Sequence, residues 1–196
     1  MKKRHVCFLA ALGVFAAVFL ALTDTAMAQS KPSHRKPPEG MVSGPWADAV
    51  VGTRTTAREV QPNIMGDIVI DKTTEVAADD ERSVTLKITG TANGKRQKDQ
   101  QGVIQRFVPP SELEKARVQW GQKEGRETLK VGDKQIECDV YRKKEKHPTK
   151  DIMGVQTTYI SEDVPSWIVR VVRKYSGEGK TMEAVPYTLL SFTWGP

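Results

Sequence analysis

The residues able to do chemistry in this chain are few and far apart. Downstream of its first 28 residues it carries two histidines, His34 and His147, and one cysteine, Cys138. A structural or catalytic zinc needs three or four Cys, His or carboxylate ligands brought together. Neither histidine has neighbours at such spacing. Ser161 stands beside Glu162 and Asp163, but a serine nucleophile needs a positioned base and no histidine is near to supply it. Ser161-Glu162-Asp163-Val164-Pro165 is instead the composition of a turn: polar side chains satisfy local amides and proline fixes φ. The carboxylates form no recognisable acid–base pair. No glycine-rich loop precedes a helix to cradle phosphate. No catalytic, cofactor-binding or metal-binding residue is therefore assigned, and the chain is expected to bind something rather than transform it.

Cys138 reads as a small apolar core residue. A thiol left unpaired in an oxidising compartment also raises the alternative of an intermolecular disulfide. The other candidates are apolar. Trp46, Trp120, Trp167 and Trp194 are spread along the chain, and indoles usually belong to a core. Ile168-Val169-Arg170-Val171-Val172 and Thr188-Leu189-Leu190-Ser191-Phe192 are apolar at successive positions, as in strands covered on both faces. A second apolar face needs a helix, a partner or a ligand over it. Trp120, Val169, Val171, Leu190 and Phe192 are accordingly the expected ligand-facing residues.

The elements that must position them are mostly strands. Trp46–Val60 leads into the folded part, and Ile68 and Ile70 alternate with acidic residues before a turn at Ala77–Glu81. Val84, Leu86 and Ile88 alternate strictly with polar residues, which predicts a strand with one buried face. Asn93-Gly94 then predicts a tight hairpin. The return strand runs from about Lys95 to Val108, with Val103–Val108 apolar enough to bury. Pro109-Pro110 ends it, and Ser111 with Glu114 forms the pattern of a capping box. A short helix is predicted over Glu112–Trp120, with Leu113, Ala116 and Trp120 on one side and Gly121 as the stop. Beyond it lie strands at Leu129–Val131, Gln135–Lys143, Ile152–Ile160, Ile168–Tyr175 and Lys180–Trp194, the last bent at Pro186. A basic loop is expected at Arg142–Lys150, and a turn at Gly177-Glu178-Gly179. The total is eight or nine strands and one helix. Short connections make neighbouring strands antiparallel. The fold class is therefore mainly β: a curved antiparallel sheet, or incomplete barrel, with one short helix against its concave face.

Val131-Gly132-Asp133-Lys134 leading to Cys138, and Tyr159-Ile160-Ser161-Glu162-Asp163-Val164-Pro165 leading to Val169 and Val171, carry a resemblance. They resemble exported, uncharacterised bacterial proteins with a G-K-x-x-x-C strand and a W-x-S-x-x-V-P turn. These are similar in pattern to the LolA/LppX-like lipoprotein-carrier superfamily. Tyr159 stands where those proteins carry Trp, and Ser166-Trp167 where small residues are common. The resemblance covers the last third of the chain. It implies a half-barrel with an apolar concave face and no catalytic residue.

The N-terminus supplies an address. Met1-Lys2-Lys3-Arg4, the apolar run Phe8–Leu22 and Ala26-Met27-Ala28 together read as a secretory signal peptide over residues 1–28. The apolar run is short for a membrane span. Gln29–Gly44, rich in Lys, Pro, Ser and Gly, is expected to be a disordered linker, and residues 45–196 a single β-rich domain. The formal net charge is +6, of which the leader's Lys2, Lys3 and Arg4 against Asp24 supply two. Export to the periplasm or outside argues against nucleic acid as a partner, and membrane association is expected only through the leader before cleavage. The expected function is an exported binding protein for an apolar, lipid-like or amphipathic small molecule. The alternative is an envelope structural or protein-interaction module with no small-molecule ligand.

Overall fold

A computed structural model of the chain describes residues 31, 32, 34–63, 65–147, 151–177 and 179–196. The expected leader, the end of the basic run at 148–150 and Glu178 of the expected turn lie outside the described residues.

Twelve strands and one helix follow in order. They are β1 (Val42–Ser43), β2 (Arg54–Gln61), β3 (Ile68–Asp79), β4 (Ser83–Ala92), β5 (Lys95–Arg96), β6 (Gln100–Gln105) and β7 (Phe107–Val108), then α1 (Pro110–Trp120). After the helix come β8 (Gln122–Val131), β9 (Lys134–Lys146), β10 (Met153–Ile160), β11 (Ile168–Gly177) and β12 (Lys180–Thr193). The main sheet has the order β5-β4-β3-β2-β12-β11-β10-β9-β8, with β6 also on β4. Every pairing is antiparallel, and the sheet does not close into a barrel. The fold class is thus mainly β, a large antiparallel sheet in the form of an incomplete barrel, with one short helix. The sheet curls far enough that the β8–β9 turn nears β12: a Cβ on Gly132 would sit 3.6 Å from Leu190 O. The excess over eight or nine strands comes from the two-residue β1 and from the Lys95–Val108 return strand, which is broken into β5, β6 and β7.

The Asn93-Gly94 hairpin forms as expected, with both residues at positive φ. The long last strand is irregular where expected: opposite Val171–Arg173, the segment around Pro186 carries an extra residue, because proline cannot donate to the ladder. Two boundaries move. β3 runs on to Asp79, through the expected turn at Ala77, because an irregularity between Val76 and Ala78 absorbs the change of pattern. The expected basic loop at Arg142–Lys150 begins as strand: β9 extends to Lys146 because β10 pairs with it residue by residue, from Ile160–Asp139 to Met153–Lys146.

The helix starts at Pro110, one residue ahead of the expected capping box, and no side chain caps it. Pro110 has no amide to satisfy and a φ already suited to helix, so the first turn forms without Ser111. Leu113, Ala116 and Trp120 are its partly buried side chains, on the expected side. Still, α1 buries none of its residues fully. Its firmest contact is the Trp120 ring edge-on to Tyr141, at 5.5 Å.

The core lies under other segments. Leu86, Val84, Val76, Ala57, Leu189 and Phe192 gather from the β4-β3-β2-β12 half of the sheet, and Ile136, Cys138 and Val131 from β8–β9. They are covered by the 44–53 turn, which contributes Trp46 and Ala49, and by the 161–167 connection, which contributes Val164. The Trp46 amide donates to Pro165 O at 2.7 Å, joining the two covers. Trp46 and Trp167 both hold left-handed backbone conformations, φ 68° and 61°, which a bulky residue keeps only where the surroundings fix it. Gly195 closes over the same turn: a Cβ there would meet Val51 O, so only glycine fits.

A buried arginine fastens the 44–53 turn. Val103–Val108 was expected to bury its apolar residues, but Val103 and Ile104 are 65% and 37% exposed and Arg106 is 0% exposed. β6 is outermost and pairs only with β4, so its side chains have a strand neighbour on one side alone. Arg106 turns inward because its acceptors wait there. Nη1 donates to Ala47 O and Ala49 O at 2.6 Å each, Nε to Asp80 O at 2.8 Å, and Nη2 to Asp79 Oδ2 at 2.7 Å. Buried charge is tolerated only when so fully partnered.

The described part of the expected linker is not a detached tether. His34 Nδ1 lies 2.7 Å from Asp48 Oδ2, Arg35 reaches Asp79 at 3.1 Å, and Lys31 donates to Glu162 O at 2.8 Å. Val42–Ser43 pairs with Phe107–Val108. The basic tract is held because the cover it meets is acidic.

Candidate ligand-binding cleft

Directly paired residues in an antiparallel ladder share a face, and alternate residues along a strand repeat it. The register therefore builds a surface in rows across β9, β10 and β11. The innermost row pairs Tyr159 with Arg170. The next aligns Arg142, Thr157 and Val172, and the one beyond it Lys144, Val155 and Lys174. Glu183 of β12 extends that third row, opposite Lys174. These side chains line an open cleft of about 1260 Å³, with Met153 and Ser176 at its outer end. Each row lies about 7 Å from the last, from the rise per residue in a strand.

The inner end rests on the core, because Tyr159 packs against it. Burial, and to a lesser degree Glu127, hold the Tyr159 hydroxyl pKa above its ordinary value, so it stays protonated. Next to it, Arg170 is half-buried, and its Nε is buried without a hydrogen-bond partner among the described residues. Farther out, Arg142 Nη1 meets Glu124 Oε2 at 2.6 Å and Lys174 Nζ meets Glu183 Oε2 at 3.1 Å. Lys143 and Lys144 also line the cleft, and no carboxylate is paired with either among the described residues. One wall is apolar: Val172 is buried, whereas Val155 and Met153 toward the mouth are 38% and 58% exposed.

The five expected ligand-facing residues are not brought together. Val169 and Phe192 are core, at 2% and 7% exposure. Val171 is half-buried on the face of β11 opposite the cleft-lining Arg170 and Val172. Leu190 is 38% exposed, at a register irregularity between Leu189 and Ser191. Trp120 lines a separate hollow of about 230 Å³ near Tyr141 and Glu162. The physical reason is the cover: the turn carrying Trp46 occupies the apolar face that a ligand was expected to fill. Arg170, Arg142 and Lys144 were passed over. The available signal was the single charge within Ile168–Val172 and the alternation of Arg142 and Lys144 along one strand.

The other reactive groups are placed as packing and ion-pairing elements. Cys138 is fully buried, its Sγ 3.6 Å from Ile136 O, and it forms no disulfide among the described residues. Burial, with Asp139 and neighbouring carboxylates adding to it, pushes the thiol pKa up to about 11. Tyr175, pushed to about 12 chiefly by burial, donates to Glu145 Oε1 at 2.5 Å, and its ring meets His147 edge-on at 4.6 Å. Ser161 Oγ accepts from the Asp163 amide at 3.4 Å, as a turn residue does. Among the described residues no three His, Cys, Asp or Glu side chains are grouped to hold a metal ion. Comparison of the chain with known protein families, with curated proteins and with solved structures gives no match.

Proposed function

We propose that the protein is an exported binding protein whose ligand is an amphipathic small molecule lodged in the β9–β12 cleft. One observation carries this reading: a single open cleft of about 1260 Å³ joins an apolar wall of Val172, Val155 and Met153 to cations at Arg142, Lys143, Lys144, Arg170 and Lys174. Binding sites for small molecules are typically concave, with apolar walls and a few placed polar groups. Large side chains such as Met153 and Val155 are left in water at the mouth, at a cost that a bound apolar chain would remove. The basic leader and its apolar run support export.

The test is native mass spectrometry of gently purified protein, together with titration of a hydrophobic fluorescent dye. A co-purified amphiphile, displaced by the dye, is expected. A bare protein that leaves the dye unaltered would remove the reading.

A further inference from the structure

The cleft has two sets of cations, and they differ in what they still need. Arg142 and Lys174 already have Glu124 and Glu183. Lys144 lies in the third row and Lys143 beside it at the rim, where a lysine can extend into water without cost. Arg170 is different. It lies in the innermost row beside Tyr159, its Nε out of contact with water and unbonded among the described residues. A buried polar group without a partner costs free energy, and more so on a charged side chain. Elsewhere in the molecule the buried arginine, Arg106, makes four donations, its Nε among them, so the fold is able to partner such a group when the chain supplies the acceptors. Around Arg170 Nε the described residues supply none, and although that atom is sealed from water, Arg170 lines the inner end of the cleft.

We infer that Arg170 is the anchor for an acidic headgroup, a carboxylate or a phosphate, and that the ligand enters the cleft head first. This rests on the cleft being the binding site. The guanidinium edge offers two parallel donors at the spacing of two oxygens on one carboxylate or phosphate. Tyr159, protonated, closes the end behind the headgroup. From that anchor the apolar residues climb outward in sequence, Val172 in the second row, Val155 in the third and Met153 at the mouth. That is a path of about 20 Å, six residues along a strand. A tail laid on it would cover the two exposed apolar side chains. The opposite orientation, with the acid at the Lys144 rim, puts the Arg170 charge under an apolar tail, the worst surroundings for it.

Isothermal titration with dodecanoate, dodecyl phosphate, dodecyltrimethylammonium and dodecyl maltoside tests this on the unaltered protein. The two anions are expected to bind at least tenfold tighter than the cation or the neutral amphiphile, and their relative strength separates the carboxylate source from the phosphate source. Arg170→Gln is expected to remove that preference, whereas Lys144→Gln changes it less than threefold. Equal affinity for all four probes overturns the anchor while leaving the cleft as a binding site. A preference lost with Lys144→Gln but kept with Arg170→Gln overturns the head-first orientation. Failure of all four to bind overturns both the anchor and the cleft reading. Comparing the four probes on wild-type protein decides the headgroup question even if Arg170→Gln does not fold.

Discussion

The same sheet is treated in opposite ways at its two ends. Over β2, β3, β4 and the near part of β12, one face is roofed by the chain's own 44–53 turn, and Val76, Val84 and Leu86 are packed with its Trp46 in the core. The reverse face of that half is wet and pairs charges directly across strands, Arg54 with Glu75 and Arg58 with Asp71. Over the outer parts of β9, β10 and β11 the described residues form no such roof. The surface beginning at Tyr159 and Arg170 opens into a cleft whose rows mix valines, threonines and cations. A face the chain covers itself adds stability, whereas a face left open with apolar residues in it is available for something else.

The largest effect on that contrast comes from unfastening the roof. Arg106 ties the turn carbonyls of Ala47 and Ala49 to Asp79 and Asp80. Arg106→Met keeps the bulk and removes all four donations. Asp79 retains Arg35, but the carbonyls lose their partner. Unfolding in urea should show a loss of about 3–5 kcal/mol. Hydrogen exchange should quicken first in β2–β4 and leave β9–β11 protected. Uniform loss of protection would mean that the two halves are one cooperative unit.

A smaller effect sits where the halves meet. Cys138 belongs to β9, yet it packs in the shared core at 0% exposure. Its thiol ordinarily titrates at 9.0 and is raised to about 11 by burial. Raised in the folded state, the pKa means the folded protein holds this proton more tightly than the unfolded chain does. The resulting stability is complete below pH 9.0 and is lost as pH climbs toward 11. The loss is about 2–3 kcal/mol at most. Stability curves of wild type and Cys138→Ala should therefore converge between those pH values. Parallel curves would show that the thiol is not secluded. Native protein at pH 8 should likewise resist alkylation.

What could be read from the amino-acid order follows the range of the interactions. The Asn93-Gly94 hairpin, the alternation placing Ile136, Cys138 and Val140 inward, and the Ser161–Pro165 connection all depend on neighbours, and they form as read. Arg106 was illegible because its partners Ala47 and Ala49 lie 59 and 57 residues away, and an arginine in an apolar run gives no sign of them. The roof was missed for the same reason. A Trp-Ala-Asp-Ala turn looks like an approach to a strand until Pro165 is found accepting its amide. Once that roof is absent from the reckoning, Val169 and Phe192 look uncovered and invite a ligand that their burial leaves no room for. The cleft was hidden differently. Arg142–Lys146 has the composition of a loop, and only its pairing with β10 turns it into a wall.

The smallest expected effect is the sharpest on the contrast, because one substitution can be made in both regions. Val169→Thr places a hydroxyl in the core at 2% exposure, out of reach of water. It should cost about 1–3 kcal/mol. Val155→Thr makes the same change in the cleft wall at 38% exposure. Threonine keeps the β-branched shape that suits a strand, and water can reach the hydroxyl, so stability should stay within about 0.5 kcal/mol. Binding is where this second change should register. Losing one methyl of apolar wall weakens dodecanoate by roughly fourfold, from the value of a buried carbon. Equal destabilisation by both variants would mean that the cleft wall is packed as tightly as the roofed face. A silent Val155→Thr in both measurements would mean that the tail does not lie on β10, and the apolar path would have to run elsewhere from Arg170.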